Sequence, residues 1–313
     1  MPRISPAAYR RITLFALLAL AFIVVTGAAV RLTGSGLGCS DWPTCEQGQL
    51  APSEITDAPA MIEFVNRLIT GVVSVAVILA VAGARWRVPR RRDLIWLASG
   101  LVAGVVAQIV LGGLVVLFEL SPRLVMGHFL LSMVIVWNAV ALHHRAGQPE
   151  VASERRRARP LVGLGRLVLA SAAVVVFTGT LVTASGPHAG DRQAERLDLF
   201  LPDVARIHGA SVVVLLFLTL AVVAILRRRT APAAAQRAAR LLLAVVLAQG
   251  AVGYVQYFTG VPALLVGVHI VGALLVWTSA ANLQLVLAGP GDEATVTAGA
   301  TAKVAGADAM ATT

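Results

Sequence analysis

The sequence is short of charge and nearly free of cysteine. Only 13% of its 313 residues are charged, against roughly 25% in a water-soluble domain, too little to cover a water-facing surface. That excludes the two soluble domains the length alone would allow. It also excludes a disordered chain, which needs low hydrophobicity and high charge. Two cysteines are too few for a disulfide-rich secreted module. The formal net charge is +10, but the arginines form no binding face, so nucleic acid is not a partner. What the chain has is apolar sequence: 58% of residues, with a mean hydropathy of +0.81.

A helix crossing about 30 Å of hydrocarbon needs roughly 20 mostly apolar residues. Charge-free runs of that kind occur at 12–30, 68–84, 94–118, 124–142, 167–187 and 207–226. A last run, 241–288, is long enough to cross twice, and Phe258-Thr259-Gly260-Val261-Pro262 is its natural break. The sequence therefore predicts an all-α, polytopic membrane protein of eight transmembrane helices. The runs are too long and continuous for the strands of a membrane barrel. The first has no A-x-A-like cleavage site after it, so residues 1–11 are expected to stay attached.

With the N-terminus in the cytoplasm, the inner segments 1–11, 85–93, 143–166, 227–240 and the tail from 289 hold 20 of the 26 basic residues. The outer segments hold 10 of the 16 acids. This bias orients the chain with both termini inside. The tail 289–313, rich in Ala, Gly and Thr, reads as disordered.

The two halves resemble each other. A shift of 141 places Ala107, Gln108, Gly112, Leu124, Val125 and His128 on Ala248, Gln249, Gly253, Leu265, Val266 and His269. Gln and His are rare in apolar helices, which makes the shared pair informative. A shift of 142 sets Asn66 opposite His208, and V-T-G-A-A-V-R-L-T-G-S-G-L-G resembles F-T-G-T-L-V-T-A-S-G-P-H-A-G. The reading is two pseudo-symmetric four-helix bundles, 12–142 and 167–288, joined by the cytoplasmic linker 143–166.

Histidine inside a membrane helix is costly and usually functional. His128, His208 and His269 lie near the outer start of helices four, six and eight, as does Asn66 on helix two. Two inward-facing imidazoles at matched depth are what axial ligation of one haem iron requires. Interhelical hydrogen bonding explains a single histidine but fits a duplicated pair less well. Zinc is disfavoured for want of a three- or four-ligand cluster. His143 and His144, beside Arg145, are expected to be solvated. His188, in S-G-P-H-A-G-D, either lines a pocket mouth or serves its loop.

Glu63 precedes Asn66 by three residues and Arg67 by four. It either moves protons or stabilises positive charge at a bundle mouth, or is a helix-dipole or ion-pair partner. Cys39 and Cys45 stand on the outer loop, where a disulfide persists, and a structural and a redox role both remain open.

The segment V-R-L-T-G-S-G-L-G-C-S-D-W-P-T-C, the E-F-x-x-R helix start, R-I-H-G, S-G-P-H-A-G-D and V-G-V-H resemble haem A synthase, across residues 10 to about 288. The resemblance implies an oxidoreductase of the plasma membrane. It would oxidise the ring methyl of haem O, through an alcohol and a gem-diol, to the formyl group of haem A for cytochrome oxidase. His208 and His269 map onto the ligands of a haem b cofactor in the C-terminal half. His128 maps onto a substrate-haem ligand, with Asn66 in the same pocket. Glu63 matches an acidic residue that supports a cationic intermediate or accepts its proton, and Cys39 and Cys45 match an outer-loop disulfide pair. Haem O synthase is an expected partner, membrane lipid surrounds the chain, and a homo-oligomer is left open. The departure is Asn66, where many members carry histidine; the substrate haem would then be held on one side only. The alternative is a membrane b-type cytochrome that shuttles electrons from quinol without altering haem. A duplicated transporter fits less well, because its polar residues would sit at broken helices near the midplane.

Overall fold

The computed structural model describes residues 3–46, 48–148 and 159–289. Its elements are α1 (Pro6–Leu32), α2 (Ala58–Trp86), α3 (Arg92–Leu117), α4 (Pro122–Ala146), α5 (Arg159–Ser185), α6 (Leu201–Arg228), α7 (Ala233–Phe258) and α8 (Ala263–Ala288). All eight are long and apolar enough to cross a membrane. They present large apolar side chains outward, among them Phe15, Leu18, Phe22, Val72, Ile78, Phe217 and Leu247. A water-soluble protein does not expose a surface of that kind; lipid is its solvent, and this is a multi-pass membrane protein. Residues 149–158 of the expected linker and 290–313 of the expected tail lie outside the described residues.

The helices extend past the charge-free runs at most ends. α6 begins at Leu201 and takes in Asp203 and Arg206, and α3 begins at Arg92. A charge-free run measures hydrocarbon thickness, whereas backbone hydrogen bonding continues into the polar layer until a cap or proline stops it. Ser5 caps α1 ahead of Pro6, and Asp57 caps α2 ahead of Pro59, each side chain accepting a backbone N–H. The long last run divides where the sequence predicts, between Phe258 and Ala263.

Each half closes on itself: α1 packs on α2 and α4, and α3 on α2 and α4. Likewise α5 packs on α6 and α8, and α7 on α6 and α8. Between the halves α4 meets α8, α1 meets α8, and α4 meets α5. Exchanging α1–α4 with α5–α8 leaves this pattern unchanged, as two related bundles require. The backbone repeats as well. The α3–α4 turn has positive φ at Glu119 (49°) and Leu120 (61°), and the α7–α8 turn has it at Gly260 (79°) and Val261 (58°). Leu120 N donates to Val115 O (2.8 Å) and Val261 N to Gln256 O (2.9 Å), the same closure 141 positions apart. At the interface, Trp277 Nε1 in mid-α8 donates to Met133 O on α4 (2.7 Å).

On one side of the bundle lie the α1–α2 loop with both cysteines, the two tight turns, and the α5–α6 loop. Gly36 N donates to Gly190 O (2.9 Å), joining the long loops, and Leu120 packs on Ala189 and Ala194. Arg31, at the end of α1, donates to His188 O (2.7 Å) and Thr183 O (2.8 Å), and so ties the first half to the second.

Candidate functional site

In the second bundle His208 on α6 and His269 on α8 face each other, ring centroids 6.3 Å apart and planes at 73°. Each ring is seated by the opposing odd-numbered helix. A Cβ at Gly179 on α5 would lie 3.2 Å from His208 Cε1, and one at Gly253 on α7 would lie 2.9 Å from His269 Cε1. Glycine at those two positions is therefore what admits the imidazoles. Thr178 Oγ1 lies 3.1 Å from His208 Nδ1 and donates its own proton to Val174 O (2.9 Å). The hydroxyl therefore accepts from Nδ1–H, which leaves the Nε2 lone pair of His208 free. Gln249 Nε2 donates to His269 O (2.6 Å) and fixes that turn of α8.

The first bundle repeats the arrangement with one substitution. Gln108 Nε2 donates to His128 O (3.0 Å) and to Ser132 Oγ (2.5 Å), and a Cβ at Gly112 would lie 3.3 Å from His128 Cε1. Thr26, the counterpart of Thr178, donates to Asn66 Oδ1 (2.8 Å). Both histidine–glutamine–glycine sets and both threonine-held positions thus recur, with Asn66 standing where the second bundle has His208.

These residues fit a haem. With metal–imidazole bonds of roughly 2 Å, two rings on opposite faces of one metal have centroids about 6 Å apart, close to the observed separation. His269 Nδ1 and His128 Nδ1 are buried without a partner among the described residues. An imidazole that meets no protein partner at either nitrogen is built for something other than interhelical hydrogen bonding.

Glu63 has its hydrogen bonds to the disulfide loop and Arg67, and none to His128, His208 or His269. Only 5% exposed, it accepts from Cys39 N (2.9 Å) and from Arg67 Nη2 (2.5 Å). Arg67 in turn donates to Thr44 O (2.8 Å) and Asp41 O (3.1 Å). Cys39 and Cys45 are joined in a disulfide, and the Glu63–Arg67 pair grips that ring from both ends. Gly38 runs against the backbone of Pro59 and Ala60, where a Cβ would not fit. Trp42, inside the ring, lies over α3: a Cβ at Gly113 would be 2.6 Å from it. Gly113 follows the glycine that seats His128, so the ring and the imidazole meet α3 on adjacent residues. Three residues apart on α2, Glu63 and Asn66 have different partners, the disulfide loop for one and α1 for the other.

His188 serves its loop, its Nε2 lying 2.9 Å from Val261 O in the α7–α8 turn. The expectation that His143 and His144 are merely solvated is corrected. Both are half-buried; His143 Nδ1 meets Thr13 Oγ1 (3.0 Å), and His144 Nε2 meets Gln148 Nε2 (2.9 Å). α1 reaches the end of α4 and shields them. Sequence reasoning missed Thr26, Thr178 and the seating role of the glycines, although the shared T-G step and the Gly112/Gly253 match carried the signal. It saw Arg67 only as an ion-pair partner, because its reach to two carbonyls depends on how the loop folds back.

The COX15-CtaA family, described as cytochrome oxidase assembly protein, matches residues 10–190. The match takes in the disulfide loop, Glu63, Asn66 and His128, and stops before His208 and His269. A heme A synthase of Lysinibacillus sphaericus is 34% identical over 113 residues, 36% of this chain and 36% of that protein. One of Bacillus licheniformis is 33% identical over 119 residues, 37% of this chain and 38% of that protein. One of an Exiguobacterium species is 27% identical over 177 residues, 55% of this chain and 56% of that protein. The aligned segments thus span between about a third and just over half of these relatives' length. With the family match extending over more than half of its length, the chain belongs to the COX15-CtaA family of cytochrome oxidase assembly proteins, which is the haem A synthase family.

Proposed function

We propose that this protein is a haem A synthase, which oxidises the ring methyl of haem O through an alcohol and a gem-diol to the formyl group of haem A. The observation that carries the reading is the duplicated imidazole seat: two facing rings 6.3 Å apart in one bundle, and a matching single ring, on the same helix–glutamine–glycine support, in the other. In this reading residues 167–288 form the cofactor bundle and 12–142 the substrate bundle. Both termini lie in the cytoplasm, so the site is near the outer face of the plasma membrane. Haem O synthase is the partner that supplies a substrate too hydrophobic to cross water.

His208 and His269 would hold haem b, which when bound supplies one-electron transfer. Thr178 keeps His208 in the tautomer with Nε2 free, and Gln249 holds the backbone under His269. In the substrate bundle His128 binds haem O through its iron, its ring position set by Gly112 and its backbone by Gln108. Glu63 is the acidic group beside the site. Its carboxylate, oriented by Cys39 N–H and Arg67, stabilises positive charge developing on the substrate or accepts its proton. The disulfide ring, clamped by that pair and resting on Gly113, closes the mouth and limits water. An electron-shuttling cytochrome accounts for the two facing rings equally well, but it gives the clamped ring and Glu63 no task.

The test is to coexpress the protein with a haem O source, extract the haems and separate them by chromatography. A formyl haem is expected; haem O alone, with no conversion, favours the cytochrome. The purified protein should show a low-spin b-type spectrum that disappears in His208→Ala and in His269→Ala. Retention of the full signal in both variants removes the cofactor assignment.

A further inference from the structure

The four duplicated positions are chemically unequal. Three carry an imidazole; the fourth, Asn66, carries a carboxamide held by Thr26, the counterpart of the Thr178 that holds His208 in the sibling bundle. Thr26 donates to Asn66 Oδ1 (2.8 Å), which engages the carbonyl end and turns the NH2 end away from α1. Among the described residues Asn66 Nδ2 has no hydrogen-bond partner. An amide nitrogen has its lone pair delocalised into the carbonyl and is no iron ligand, but it offers two N–H donors. A position whose duplicate closes one face of a metal therefore offers, here, hydrogen-bond donors around an open face.

We infer that the substrate haem in the first bundle is bound through His128 alone, and that its Asn66 side is a binding site for a small oxygen-donor ligand. In the resting ferric protein that ligand is water, with Asn66 Nδ2 donating to its oxygen. The inference rests on the proposed function, since it takes the first bundle as the substrate-haem site. The two bundles then differ in spin state: paired imidazoles make the second low-spin, whereas one imidazole and a weak-field water make the first high-spin.

The experiment uses the full-length protein, purified from cells that supply haem O, with absorption and electron paramagnetic resonance spectra recorded with and without cyanide or imidazole. The expected result is a low-spin signal lost in His208→Ala and a high-spin signal lost in His128→Ala. Either probe converts the high-spin signal to low-spin and leaves the other unchanged. Asn66→His abolishes the high-spin signal with no probe added; Gly27, the counterpart of the Gly179 that seats His208, has nothing within 4 Å of where a Cβ would lie, which leaves room for the larger ring. Asn66→Leu keeps the high-spin signal but weakens cyanide binding by roughly tenfold, the loss of one hydrogen bond. Two low-spin haems that ignore cyanide overturn the inference while the proposed function stands. So does a high-spin signal that survives His128→Ala. Equal cyanide affinity in Asn66→Leu removes the donor role. A protein that binds no haem defeats the functional reading itself.

Discussion

Thr26 and Thr178 occupy matching places in two T-G steps, and each hydroxyl holds the side chain on the neighbouring even-numbered helix. Neither stood out in the sequence, because threonine and glycine are ordinary at helix contacts in membranes. They acquire meaning only once the facing residue is known. Glu63, His128, His208 and His269 were legible for the opposite reason: ionisable or imidazole groups in apolar helices are rare and expensive. The ion pair that the sequence offered for Glu63 is present, and it also holds the disulfide ring. Two substitutions separate the contributions. Arg67→Ala strips the cation from a carboxylate that is 7% exposed, and loss of one partner of a buried pair costs roughly 3 kcal/mol. We expect a lower unfolding temperature in detergent and faster proteolysis within residues 39–57; no change in either would mean the ring is held by other contacts. Glu63→Gln keeps the shape and can still accept from Cys39 N–H. It should stop haem A formation while leaving the b-type spectrum intact, and a normal product yield would take Glu63 out of the mechanism.

The helices were easy to find and their ends were not. Charge-free runs report the hydrocarbon slab, so Asp203 and Arg206 fell outside the expected sixth helix although the backbone there is helical. The break in the last run was legible from Gly260 and Pro262, whereas its twin at Glu119–Ser121 carries no glycine. The equivalence of the two turns appears only in their backbone angles. Val261 sits at φ 58°, a left-handed conformation that a β-branched side chain adopts only under strain of about 1–2 kcal/mol. The bond from His188 to its carbonyl helps hold it there. Replacing Val261 by glycine removes the side-chain clash but adds backbone freedom to the unfolded chain, so a net stabilisation of up to about 1 kcal/mol is expected. Calorimetry in detergent would show it as a raised midpoint, and a lowered midpoint would mean that the valine's packing outweighs the strain.

At the scale of the molecule, the two-bundle reading came from a handful of matched polar residues, and the packing pattern agrees with it. The contacts between halves were not legible. Trp277 looks like any apolar helix residue until its N–H is found on Met133 O, and Arg31 looks like a membrane-edge charge until its two carbonyl partners are seen. These contacts predict that residues 1–148 and 159–313, coexpressed as separate chains, copurify and retain the low-spin spectrum; halves that elute apart would show that covalent connection does most of the joining. The α5–α6 loop is fastened to Val261 through His188, to α1 through Arg31 and to the α1–α2 loop through Gly36, all on the disulfide side. The halves are therefore bound like a book along that edge, with Trp277 as a stitch partway down. The imidazole seats lie beside that spine, so loosening any of these fastenings is expected to disturb the haem spectra before it separates the halves.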